Sequence, residues 1–206
     1  MKHIAAASAV ITLVLALCPV ARAEFCGGDE SKLDEAYMLF EDEDFEGAKE
    51  VLVGALQNGE VYAWERGTAL AMLAEAQLRL GEYRPAIINY RKAIEVDSDG
   101  ELLESHNGLA TALYLAGRTD EALEVATAFA FDMCGDPQGA PVACYGANVM
   151  IGLLTPDDTL MFESVQNAEL IRGANPRLEE SFADVRARLE PEGLVQIASV
   201  HQSHNG

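Results

Sequence analysis

Cys134 and Cys144 bracket GDPQGAPVA, a segment rich in Gly and Pro. Two thiols joined across a loop of this size restrict the unfolded chain and stabilise the fold by roughly 2–3 kcal/mol. Zinc would want closer spacing and further ligands, and no histidine lies nearby in sequence. A Cys134–Cys144 disulfide is therefore the expected chemistry, with Cys26 left over. A cysteine-dependent redox protein or enzyme is the alternative reading. It needs an exposed, low-pKa thiol, and no motif ties a histidine to any cysteine in this chain. His201 and His204 form an H-x-x-H pair near the C-terminus, which reads as incidental on a tail. His106 falls within a helical pattern and reads as a partly exposed surface residue. DSDGE, from Asp97 to Glu101, has the start of a calcium loop, but Leu102 stands at the sixth position and Gly108 at the twelfth. It reads as a turn, and FEDEDFE as another. No catalytic set, metal site or cofactor is expected, and the chain reads as a binding protein rather than an enzyme.

Residues 1–23 open with Lys2, continue as an apolar run from Ile4 to Val20 and end in Ala21-Arg22-Ala23. That order of basic, apolar and small residues predicts a cleaved signal peptide, and with it a periplasmic or secreted location. No later segment approaches the length that crosses a bilayer. The formal net charge of −20 repels nucleic acid and anionic lipid and favours cationic partners.

The elements that would carry any site are helices in repeating pairs. GEYRPAIINYRKAI places Gly81, Tyr83, Ala86, Tyr90 and Ala93 at offsets that recur twice. AGRTDEALEVATAF supplies Gly117, Thr119, Ala122, Ala126 and Phe129; DEDFEGAKEVLVGA supplies Glu43, Phe45, Ala48, Leu52 and Ala55. Each block follows a segment with apolar residues at helical spacing, such as Leu70, Leu73, Ala74 and Leu78. A period of this size marks an array of helix–turn–helix units. Gly81 and Gly117 fit the left-handed cap that closes a helix. After Met133 the pattern weakens, but a fourth helix pair meeting at Thr155-Pro156 is predicted. A one-sided helix with Leu178, Phe182, Val185 and Leu189 follows it.

These residues resemble the tetratricopeptide repeat family. Ala74, Gly81, Tyr83, Ala86, Tyr90 and Ala93 match the family pattern, with Gln77 in place of an aromatic and Ser98 in place of the closing proline. The outer units match in part, with Glu43 where Gly is usual and Thr119 and Ala126 where aromatics are usual. The resemblance implies an all-α, right-handed superhelical solenoid of antiparallel helix pairs with a C-terminal capping helix. The expected organisation is a signal peptide over 1–23, three repeats over 24–133, a divergent pair and cap over 134–190, and a tail over 191–206.

The resemblance also implies a binding groove along the first helices, placing Tyr37, Phe40, Glu75, Arg79, Asn107, Thr111 and Tyr114 there. The basic clamp that some members use for a C-terminal carboxylate is missing. The expected partner is a protein or peptide segment, basic or neutral with apolar anchors. The expected role is a periplasmic interaction or scaffold module. In a solenoid the N-terminus lies far from the fourth pair, so Cys26 is not expected to bond Cys134 or Cys144.

Overall fold

A computed structural model describes residues 31–97, 100, 102–135 and 140–189. The expectations for the leader, Cys26, His201, His204 and the tail fall outside them. The described residues form helices and no strand, in the order α1 (Lys32–Glu41), α2 (Phe45–Asn58), α3 (Arg66–Arg79), α4 (Tyr83–Val96), α5 (Glu104–Leu115), α6 (Thr119–Met133), α7 (Pro141–Leu154), α8 (Asp158–Ala174) and α9 (Glu179–Leu189). Single 3₁₀ turns precede α3 and α9. Consecutive helices pack as pairs, giving the all-α solenoid that the repeats imply.

The small residues of the repeat sit where backbones approach. Ala36, Ala48, Ala55, Ala74, Ala86, Ala93, Ala110 and Ala122 are at most 1% exposed. Larger side chains fill the spaces between them and make a core that passes from pair to pair. Leu52 and Leu73 serve the first segment, Ile87, Tyr90 and Leu113 the second, and Phe129, Tyr145 and Met150 the third. Each such side chain contributes about 1.5–3 kcal/mol on leaving water. Gln77, which replaces an aromatic of the repeat, is also buried, and Asn89 on α4 donates to its Oε1 at 2.9 Å. That partner lets a polar residue occupy an apolar position.

Tyr90 joins three helices. It is 3% exposed. Its hydroxyl on α4 donates to Glu75 Oε2 on α3 at 2.6 Å. Its ring lies against Gly108 of α5, where an added Cβ would fall 2.3 Å from the ring. No residue larger than glycine fits at 108 while the ring stays in place.

The fourth pair differs in kind. Every residue of α7 from Ala143 to Gly152 is buried, because α5, α6, α8 and α9 all pack on it. A helix surrounded on all sides loses the amphipathic stripe, which accounts for the weakened pattern after Met133. Cys134 and Cys144 are bonded to each other, with Cα atoms 5.5 Å apart. The bond ties the end of α6 to the first turn of α7 and engages both of the thiols considered for Cys26. His106 is half-buried, in keeping with the partly exposed residue expected. Its ring lies 4.9 Å from that of Phe129, and burial lowers its pKa from the ordinary value of 6.5, against an opposing effect of Asp97.

The first turns of the three repeats share one closing geometry. Asp44, Glu82 and Arg118 each donate a backbone N–H to a carbonyl five residues back, on Leu39, Gln77 and Leu113, at 2.8–2.9 Å. This closure needs a left-handed residue just before the donor. Gly81 and Gly117 supply it with φ of 75° and 76°, but in the first repeat Glu43 adopts φ of 57°. A side chain in that region costs about 1–2 kcal/mol. Glycine would relieve that cost, and its greater freedom in the unfolded chain would offset part of the relief. Glu43→Gly should therefore raise the unfolding free energy by about 0.5–1 kcal/mol in urea titrations. An unchanged or lowered midpoint would contradict the turn geometry.

Candidate functional site

Helices α3, α5, α7 and α9 line an open cleft of about 580 Å³. Ala71, Met72 and Leu78 of α3 form one wall, and Gly108 and Thr111 of α5 the next. Val142 of α7 and Val185 of α9 extend the apolar surface. Tyr90 reaches the cleft from α4, so the bond that fixes Glu75 also shapes this wall.

Among the described residues, three carboxylates, on Glu75, Glu104 and Glu180, line the cleft, and no Lys or Arg does. Glu75 accepts from Tyr90 and lies 3.7 Å from Arg79. The Arg79 guanidinium sits 4.5 Å over the Phe45 ring, drawn toward α2 by the favourable face of the aromatic. The cleft thus joins apolar walls to a negative rim, suited to a cationic or neutral segment with apolar side chains.

Of the seven residues expected in a groove, Glu75, Asn107 and Thr111 line this cleft, and Tyr37, Phe40, Arg79 and Tyr114 do not. Asn107 Nδ2 donates to the Ala143 carbonyl at 2.9 Å, which secures α5 to the start of α7. Thr111 is buried. Tyr37 is exposed on α1. Phe40 meets Phe45 edge-on, with centroids 5.6 Å apart. Tyr114 packs against the second and third segments of the core. Repeat positions alone missed Met72, Glu104 and Val142, and missed α9 as a wall of the cleft. The apolar stripe of α9 was visible in sequence, but its docking place depends on contacts distant along the chain.

Phe182 anchors α9. It is fully buried, and its ring lies 4.7 Å from that of Tyr145 on α7. Burial raises the Tyr145 pKa from its ordinary value. Around this contact Arg172 pairs with Glu169 at 2.6 Å and Glu179 at 3.5 Å, and Glu179 with Arg186 at 3.1 Å. These pairs are solvated and contribute little individually.

Comparison with known families identifies one that covers more than half the chain. The bacterial transcriptional activator domain matches residues 21–129. The chain belongs to that family. The matched residues include α1 to α5 and most of α6; α7 to α9 lie beyond them. A bacterial transcriptional activator domain is a helical interaction domain with a fold like that of the tetratricopeptide repeat, which agrees with the resemblance at the level of fold. The match corrects the expected periplasmic or secreted location, because these domains occur in cytoplasmic transcriptional activators. That expectation rested on the composition of residues 1–23 alone. An apolar run ending in small residues carries no fold-specific pattern, and the match begins at residue 21, within that segment. A comparison with curated proteins finds no match. Among the described residues, no helix is long and apolar enough to cross a membrane. No group of three or more His, Cys, Asp or Glu among them could hold a metal ion.

If Phe182 holds the fourth wall of the cleft, Phe182→Ala should cost about 3–5 kcal/mol of local stability. Hydrogen exchange by mass spectrometry should show protection lost across 179–189 and at the start of α7, while α1 to α4 exchange as before. Exchange that quickens equally along the whole chain would show that α9 is not an independently anchored wall.

Proposed function

We propose that this bacterial transcriptional activator domain acts by binding a protein segment in the cleft between α3, α5 and α9, and carries out no catalysis. The family match supports a place in transcriptional regulation. The observation that carries the binding reading is the cleft itself, where apolar side chains of α3, α7 and α9 converge beside carboxylates. The ligand is a basic or neutral segment with one or two apolar anchors. Apolar burial supplies most of its affinity, because solvated ion pairs contribute only about 0–1 kcal/mol each. Charge hastens the encounter and fades with salt.

The same charge bears on nucleic acid. A chain with a formal charge of −20 repels phosphate. The domain therefore influences transcription through a protein partner rather than through its own contact with DNA.

A photo-crosslinking amino acid at Ala71, in the cleft, tests the reading against the same group at Ile88, which is exposed on α4. Irradiation of living cells should give a discrete protein adduct from position 71 and none of that size from 88. Added Glu104→Lys and Glu180→Lys substitutions should diminish the adduct. Identical adduct patterns from both positions, or an adduct indifferent to the charge reversals, would rule out the cleft as the binding site.

A further inference from the structure

The layer of second helices carries a surface separate from the cleft. Between α6 and α8, floored by Asn148 and Ile151 of α7, lies a groove of about 660 Å³. Phe131 and Leu170 line it and are 87% and 70% exposed. Leu170 also borders a shallower depression that contains Phe162, which is 52% exposed. Large apolar side chains left in water as one continuous patch mark an interaction surface.

The charged residues that line this patch, among those described, are carboxylates. Glu163 lines the groove and Glu169 the depression, and among the described residues no Lys or Arg lines either. Asp132, next to Phe131, is exposed. The nearby Arg172 is engaged by Glu169 and Glu179. Glu163 has no ion pair with another described residue.

We infer that this groove docks a basic amphipathic helix of a protein partner. An apolar stripe on that helix enters between Phe131 and Leu170, and its Lys or Arg residues face Glu163. Laying an amphipathic helix into an apolar groove is a general recognition mode, and charge complementarity selects the partner. A second copy of the chain fits less well, since it brings the same carboxylates and the same charge of −20 to the contact. The groove and the cleft share no lining residue, so the two surfaces allow one domain to join two segments.

Fluorescence anisotropy with the full chain tests this, using a labelled helical peptide of Leu and Lys with Leu on one face. A counterpart with Glu in place of Lys is the control. The Lys peptide should bind and the Glu peptide should not. Joint Phe131→Ser and Leu170→Ser substitution should weaken the Lys peptide at least about tenfold, as expected for central anchors. Both side chains are exposed, so the variant should keep its helical circular dichroism; if it does not, Glu163→Lys decides. That charge reversal should weaken the Lys peptide and admit the Glu peptide. Ile88→Ser, exposed on α4 and outside both surfaces, should leave binding unchanged. Equal binding of both peptides, no binding of either, or binding of the Lys peptide that the groove variants leave unchanged would overturn the inference. A dimer in sedimentation that Phe131→Ser dissociates would assign the groove to a second copy and overturn it as well.

Discussion

One buried side chain sets the spacing on which the cleft depends. Tyr90 stands on α4, bonds Glu75 on α3 and presses its ring into the space that Gly108 leaves on α5. Solenoid units contact only their neighbours, so the geometry of each joint is passed along the array. At this joint a hydrogen bond to a carboxylate fixes direction and a missing Cβ fixes distance. The same three helices contribute to the cleft. A change in the angle between α3 and α5 would therefore alter both the apolar wall and the position of its carboxylates.

Much of this was legible in the sequence because the repeat encodes packing directly. Ala74, Ala86 and Ala93 announced close helix contacts, and Gly81 and Gly117 announced the turns. The structure places the alanines in the core and both glycines at positive φ. Glu43 carried a subtler signal. It broke the glycine pattern while its neighbours kept to the repeat, and the backbone there follows the geometry of the other two turns. Context at that site overrides the preference of the residue.

The cleft was less legible. Family positions describe where a side chain points when units stack evenly, and the stacking in this chain is uneven at the C-terminal end. Asn107 is drawn to the Ala143 carbonyl and Tyr114 is covered by later helices. The wall formed by α9 depends on Phe182 meeting Tyr145, a contact between residues far apart in sequence. The cysteines show the complementary case. Their pairing was expected from their spacing and from the exported location that residues 1–23 suggested, and the packing of α6 on α7 brings the two residues together. Reducing compartments disfavour such bonds, but the proximity of these residues comes from the fold rather than from the redox state. The location of the protein was the least legible feature, because composition was asked to identify a compartment that the family match contradicts.

The most direct measurement is a double-mutant cycle between Glu75→Gln and Tyr90→Phe, read by urea unfolding of the full chain. The two groups meet at 2.6 Å in a part-buried setting. A hydrogen bond to a charged group contributes about 1.5–3 kcal/mol, so the two changes should be non-additive by about 1 kcal/mol or more. Strictly additive effects would mean that the contact does not hold α3 to α4, and that the shape of the cleft does not depend on the bond between Tyr90 and Glu75.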